Sequence, residues 1–284
     1  LQVYPSSVLV GAGAAQLISI VLNVFGNNSH ENIVCSPSFS LFDYYLKINN
    51  ISFKTWELND KLEFDLKLFP KLAAPAMIMI ASPNNPTGNT LPVRDLEYLL
   101  QAYPSSIIIV DEVYYEFSDQ SVIPLLKKYS NLIIIRSLSK AYSAAGIRLG
   151  YAISSPQMIK NLRKYILPFS LNHLSVAFAR VLFGHQEYLH FAGRNVLSVI
   201  RERDNLYQLL SNRAGDKPYQ VFNSRANFLL VKFNNLQSYR HYLDLFAKNK
   251  IKVLHLGDHP FLEHAIRISI GNASQNQAIA DLLS

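Results

Sequence analysis

Among 284 residues there is one cysteine, Cys35. A disulfide framework and a cysteine-based zinc site are therefore excluded, and a reducing, cytoplasmic setting is expected. Charged residues make up only 17% against 49% hydrophobic, which excludes a disordered chain. Residues 1–30 contain no Asp, Glu, Lys or Arg. A secretory signal wants a basic start, which this stretch lacks. A spanning helix wants ~20 mostly apolar residues, and here Pro5, Gly11, Gly13, Gln16, Ser19 and Asn23 interrupt the run. The stretch reads instead as a buried strand, a tight glycine turn and a buried helix, so no membrane partner is expected.

Acidic residues are scarce in the second half. Residues 143–284 hold 17 basic and 8 acidic residues, net +9, whereas residues 1–142 hold 10 and 12, net −2. The excess cations, among them Arg180, Arg194, Arg201, Arg203, Arg213, Lys217 and Arg225, are scattered. No dense basic block and no nucleic-acid module is spelled out, so a solvated basic surface is expected and nucleic acid is not an expected partner. The eight histidines show no helical zinc pattern. His255, His259 and His264 gather around Asp258 and Pro260, but in a turn-rich stretch, so no metal is expected there.

What the sequence does have is a recurring unit. Short apolar runs each end in small or polar residues: Val8–Val10 before Gly11, Ile33–Val34 before Cys35, Met77–Ile80 before Ala81, Ile107–Val110 before Asp111, and Leu132–Ile135 before Arg136. Such short β-branched runs read as strands buried on both faces of a parallel sheet. Helix-like stretches follow at Ala14–Phe25, Leu41–Ile48 and Pro92–Tyr103. The alternation predicts an α/β fold with helices on both faces of the sheet. Ligands of such sheets bind beyond the carboxyl ends of the strands, so the five polar clusters are expected to form one site. After about residue 165 the texture changes to a long helical pattern at Val196–Ser211 and strand-like runs at Phe228–Phe233 and Ile266–Ile270. Two domains are expected, a large one over residues 1–165 and a smaller α+β one over residues 166–284.

Chemistry concentrates at the strand ends. Gly11-Ala12-Gly13-Ala14-Ala15 joins a strand to a helix, where backbone N–H groups and the helix dipole favour an anion. It is not a dinucleotide fingerprint, because Gln16 stands where the third glycine would be. Ser82-Pro83-Asn84-Asn85-Pro86-Thr87-Gly88 is a turn that also places an amide at the strand end. Asp111 and Glu112 are adjacent, and side-chain alternation lets only one face the site. Asp111 with Tyr114 is the expected pair, with Glu112 turned away. Ser137-Leu138-Ser139-Lys140 supplies two hydroxyls and a lysine, and Arg148 lies eight residues on. A lysine in an enclosed site can lose its proton and act as nucleophile or base.

As an ordered set these motifs resemble the class I and II aminotransferases, pyridoxal-phosphate enzymes of fold type I, and most closely their histidinol-phosphate branch. The resemblance runs from about Val8 to Gly271. It implies a mostly parallel sheet in a three-layer α/β/α large domain, a smaller C-terminal α+β domain, a homodimer and a role in amino-acid biosynthesis. The cofactor implied is pyridoxal 5′-phosphate, and the partners are an amino donor and a 2-oxo acid. Lys140 would carry the cofactor aldehyde and shuttle a proton. Asp111 would pair with the ring nitrogen, and Asn85 and Tyr114 with the ring oxygen. Phe39 would stack on the ring. Gly13, Ala14, Ala15, Ser137, Ser139 and Arg148 would hold the phosphate. Arg267, assisted by Asn85, would bind the substrate carboxylate. The family has a longer arm before the glycine loop, whereas seven residues precede Val8 here, so a fragment or a shortened homologue is expected. The histidinol-phosphate branch also carries an arginine thirteen residues before Arg267, where this chain has Leu254, so that substrate is not expected. A decarboxylase or lyase on the same scaffold, and a cofactor-binding homologue without catalysis, remain alternatives.

Overall fold

The computed structural model describes residues 3–28, 30–212, 218–257 and 259–283. Asp258, Arg213 and Lys217 lie outside them. Seven strands form the first sheet: β1 Val8–Gly11, β2 Glu31–Ser36, β3 Lys54–Glu57, β4 Ala76–Ala81, β5 Ile107–Asp111, β6 Leu132–Ser137 and β7 Gly150–Ile153. Their order is β1-β7-β6-β5-β4-β2-β3. The pairs from β6 to β3 are parallel, while β7 runs antiparallel to both β6 and β1.

Alternation along the strands divides the core in two. Val34, Met77, Met79, Ile109, Ile133 and Ile135 face one side. There they meet α1 (Ala14–Phe25), α2 (Leu41–Ile48) and α4 (Pro156–Arg163) through Ile18, Phe42 and Leu162. Ile78, Ile80, Ile108, Val110 and Ile134 face the other side, where Leu96, Leu99 and Leu100 of α3 (Val93–Ala102) cover them. Each fully buried side chain of this kind contributes about 1.5–3 kcal/mol of transfer free energy. The uncharged opening stretch is β1, the glycine turn and α1, with Leu17, Ile18, Val21 and Leu22 buried. Among the described residues no helix is long and apolar enough to cross a membrane.

The second sheet is antiparallel, with β8 Tyr219–Phe222, β9 Phe228–Phe233, β10 Leu254–His255 and β11 Ala265–Ser269 in the order β10-β11-β9-β8. Its core joins Leu229, Val231, Phe233, Ile266 and Ile268 to Leu206 and Leu210 of α6 (Gln186–Asn212), Phe246 of α7 (Leu236–Lys248) and Ile279 of α8 (Ala273–Leu282). Two ties fix it to the first sheet. Arg203 of α6 is buried and donates through Nη1 to the carbonyls of Phe117 and Ala226 at 3.0 and 3.1 Å. Arg225 N donates to Gly88 O at 2.7 Å. Gly88 has φ +79 and no room for a Cβ against Ser224, so glycine is required there.

Expectation and structure differ in instructive places. β1 is an edge strand with Val10 exposed, rather than a strand buried on both faces. Strand β3 was not expected, because Lys-Thr-Trp-Glu reads as polar and only Trp56 points inward. Strand β7 opens on a glycine and is short. Helix α6 starts ten residues before its periodic stretch, because Phe191 and Leu197 lie on its wet side and blur the pattern.

Glu112 turns away from Asp111, as alternation predicts. Its Oε2 accepts from Arg136 Nε and Nη2 at 2.9 and 2.7 Å, and its Oε1 from Val122 N at 2.7 Å. Both side chains are buried, and the Tyr115 ring lies 3.3 Å from the Arg136 Cζ. Burial pushes the Glu112 carboxyl up, and the guanidinium opposes that push. Truncating one member leaves the other charge buried and uncompensated. Glu112→Ala is expected to cost about 3–5 kcal/mol in denaturant unfolding, and the apolar double replacement Glu112→Leu/Arg136→Met clearly less.

Candidate active site

The glycine turn after β1 is shaped by close approach of Arg148, Gly150 and Gln16. Gly13, at φ +83, is the residue before α1, and a Cβ there would stand 2.6 Å from Arg148 Nη2. A Cβ on Gly150, at the start of β7, would stand 2.6 Å from Ala14 N. Gln16 accepts from Ala12 N at 2.7 Å and so holds the turn in place of the missing third glycine. Gly13 offers no side-chain cap and the first turn of α1 has no acid. The free N–H groups of Ala14 and Ala15 therefore point at an uncompensated helix start, which is an anion cradle. Arg148 closes it from the far side. Arg148 is left-handed (φ 55, ψ 52) and donates to Ala145 O at 3.1 Å. That conformation costs a non-glycine residue about 1–2 kcal/mol.

Strand ends supply the remaining walls. Leu138 is buried with Ala144, Leu149 and Leu182, which turns Ser137 and Ser139 together towards the cradle. Ser137 Oγ donates to Ser139 Oγ at 2.8 Å. Asp111 ends β5 on the same sheet face as Ile109. It is buried and accepts from Val113 N at 3.0 Å. Burial pushes its carboxyl up to about 7, a rise that Glu112 adds to and that the Val113 N–H and Lys140 oppose. Phe39 packs edge-on against Phe42 of α2 at 5.7 Å. A cavity of about 210 Å³ is lined by Ala14, Ala15, Phe39, Asn85, Asp111, Tyr114, Ser137, Ser139 and Arg148, with Pro83 and Val113.

A second cavity, of about 890 Å³, shares Phe39, Asn85 and Tyr114 with the first and continues past Lys140 and Arg267. Lys140 Nζ lies 5.5 Å from the centre of the Tyr114 ring. Its pKa is lowered by burial and then by Arg267, with Asp111 opposing. Arg267 of β11 donates through Nη1 to Asn85 Oδ1 at 2.5 Å, reaches the Tyr114 hydroxyl and lies over the Phe228 ring at 4.8 Å. Its buried Nε finds no hydrogen-bond partner among the described residues. Tyr114 rests edge-on against Phe228 at 5.3 Å, and burial raises its pKa against the pull of Arg267.

Every residue expected at the site thus lies on these two joined cavities, Gly13 through its contact with Arg148. Several others escaped the sequence. Asn84 is buried, donates to Pro37 O and Thr87 Oγ1 at 2.8 Å and accepts from Ser38 Oγ at 2.6 Å. It clamps the Phe39 loop to the Asn85 loop, while its neighbour faces the cavity. Nothing in an Asn-Asn pair tells which is which. Gly150 and Gln16 likewise act through close approach, which a sequence does not record. Of the three histidines of the turn-rich stretch, His259 engages Ser36, whereas His255 and His264 both pack on Tyr239. Among the described residues no three His, Cys, Asp or Glu side chains could hold a metal ion.

The layered α/β architecture and this lysine-centred site define a fold type I transferase. Comparison with known proteins agrees. The aminotransferase class I and II family model matches residues 1–283. A histidinol-phosphate aminotransferase of Ruminiclostridium cellulolyticum is 34% identical over 98% of this chain and 76% of its own length. The structure of histidinol-phosphate aminotransferase from Sinorhizobium meliloti, in complex with pyridoxal-5′-phosphate, superposes with a TM-score of 0.85 at 24% identity, over all of this chain and 77% of that one. L-Threonine-O-3-phosphate decarboxylase from Porphyromonas gingivalis does so with a TM-score of 0.83 at 20% identity, over 99% and 83%. At those identities the structures show the fold alone. The chain belongs to the class I and II aminotransferases, pyridoxal-phosphate-dependent enzymes.

Asp111 makes a pH prediction for the unliganded protein. Its folded pKa, about 7, lies above its ordinary 3.8. The linked stability is complete below about pH 4 and is lost as pH rises through about 7. Asp111→Asn keeps the acceptor for Val113 and removes the charge. Thermal unfolding of the variant should fall less between pH 4 and pH 7 than that of the natural protein; parallel curves would contradict the assignment.

Proposed function

We propose that the two joined cavities carry out transamination between an amino acid, or an amine like one, and a 2-oxo acid, with Lys140 as the catalytic amine. The carrying observation is that Asn85, Asp111, Tyr114 and Lys140 from the ends of β4, β5 and β6, Arg148 from the loop before β7 and Arg267 from the middle of β11 converge onto two adjoining cavities. The residues fit pyridoxal phosphate. The cradle offers Ala14 and Ala15 N–H groups, two hydroxyls and a guanidinium to a phosphate. Asp111 is a buried carboxylate that gains from a cationic N–H. Arg267 has a donor still unused.

When bound, the cofactor supplies an aldehyde that takes up an amine and a ring that withdraws electrons from the adjoining carbon. Asp111 would hold the ring nitrogen protonated, which would offset the cost of burying its own charge. Tyr114 and Asn85 would hydrogen-bond the ring oxygen, and Phe39 would pack on the ring. Lys140, its pKa lowered by burial, accepts and returns the proton at the substrate α-carbon as a neutral amine. Arg267 pairs with the substrate carboxylate in a fork geometry that lysine could not supply. Chemistry separates transamination from decarboxylation only through which α-carbon bond is held for cleavage, so the product decides.

We also assign residues 1–165 to a cofactor-binding domain and 166–284 to the interdomain helix and a smaller domain. A homodimer is supported by exposed apolar side chains on α5 (His173–Gly184) and α6: Leu174, Val181, Phe183, Phe191 and Leu197. The buried Cys35 suits a cytoplasmic enzyme.

Borohydride reduction of the loaded protein, followed by peptide mass mapping, should place the cofactor on Lys140. Lys140→Ala should lose keto-acid formation by a factor of about 10²–10⁴ or more. Label on another lysine, or carbon dioxide in place of the keto acid, would overturn this reading.

A further inference from the structure

Arg148 reaches the phosphate cradle from a strained backbone. It leaves the single turn Ala145–Ile147 in the left-handed region, at φ 55. Glycine takes that conformation freely, whereas an arginine stays in it only when its surroundings hold it there. The peptide unit between Ile147 and Arg148 sets that φ, and it is held at both ends. The Arg148 N–H points back to Ala145 O at 3.4 Å, which is long for such a bond. The Ile147 carbonyl accepts from the hydroxyl of Ser175, 28 residues further along the chain.

Ser175 lies in the first turn of α5 and is fully buried. Its N–H donates at 2.8 Å to the Asn172 side chain that caps the helix. Leu182 of α5 is buried with Leu138, Ala144 and Leu149, and Phe178 and Ile147 pack on that cluster. The hydroxyl is thus anchored on a helix seated against the loop that carries Arg148, so it cannot follow the carbonyl if the peptide plane turns. None of the described residues of α5 lines either cavity. Beyond the pinned peptide the arginine folds back. Its Nη1 donates to Ala145 O at 3.1 Å, and its Nη2 stands 2.6 Å from where a Cβ on Gly13 would lie. Without the Ser175 bond the plane is free to rotate. Arg148 then relaxes towards the ordinary right-handed region, which swings its side chain off the cradle.

We infer that Ser175 is a positioning residue for the cofactor phosphate and acts through Arg148. Its hydroxyl fixes the Ile147–Arg148 peptide plane, and that plane aims the guanidinium at the start of α1. This deepens the proposed function and rests on Arg148 meeting the phosphate at the cradle. A residue that touches neither cavity thereby sets how tightly the cradle grips.

Two ligands that differ only in the phosphate test it: pyridoxal 5′-phosphate and pyridoxal. Each is titrated into the full chain freed of cofactor, and binding is followed by the absorbance of the Schiff base that the aldehyde forms. Ser175→Ala should weaken pyridoxal phosphate by about two- to twelvefold, the range of one ordinary hydrogen bond, and leave pyridoxal unchanged. Arg148→Ala should weaken pyridoxal phosphate by about tenfold or more, the scale of a bond to a charged group, and also spare pyridoxal. On the Arg148→Ala protein, Ser175→Ala should change neither ligand. Equal weakening of both ligands by Ser175→Ala overturns the inference, because a residue that only supports the fold would act on both. An unchanged affinity for pyridoxal phosphate overturns it too, as does an undiminished Ser175→Ala effect on the Arg148→Ala protein. If Arg148→Ala weakens both ligands alike, or neither, the phosphate placement fails and takes the role of Ser175 with it. A selective Arg148→Ala effect without one from Ser175→Ala overturns the Ser175 assignment alone.

Discussion

A buried carboxylate at the end of the central strand governs this structure. Asp111 accepts from the Val113 N–H and lies where the sheet and the loop after β5 remove it from water. Burial holds its proton on to about pH 7. Its neighbour Glu112 is just as buried but carries a guanidinium on its own side of the sheet. Two adjacent acids thus have opposite fates through strand alternation alone. Glu112 is paired with Arg136, whereas the pKa of Asp111 is held up at about 7 by burial.

The surrounding fold follows from serving that position. Parallel strands bring their carboxyl ends to one edge, so the Asn85, Asp111 and Ser137 loops meet without long excursions. The antiparallel β7 returns the chain so that Gly150 abuts the glycine turn and Arg148 faces the start of α1. Arg203 and the Gly88–Arg225 contact then fix the second sheet close enough for Arg267 to reach Asn85 and Tyr114. The side chains of the candidate site are thus carried on the ends of packed elements, which keeps the arrangement preorganised.

Much of this was readable in the residues. β4, β5 and β6 declare themselves as β-branched runs, and α1, α2 and α3 fall within a residue of where periodicity and Pro92 put them. The order of motifs predicts polar clusters at one edge of the sheet, and the structure brings their side chains onto two adjoining cavities. What stayed hidden depends on proximity rather than pattern. β3 and β10 are too short or too polar to show a period. Asn84 and Asn85 are alike in sequence and differ only in which way the turn points them. The thirteen-residue spacing of Leu254 and Arg267 is a hairpin register, visible as direct opposition only once β10 and β11 pair.

The crystal structure of the protein grown with pyridoxal phosphate would test the central claim most directly. The account predicts the phosphate against the Ala14 and Ala15 N–H groups and Arg148, the ring nitrogen within hydrogen-bond distance of Asp111, and Lys140 Nζ at the aldehyde carbon. A phosphate held elsewhere, or a ring nitrogen facing anything but Asp111, would contradict it.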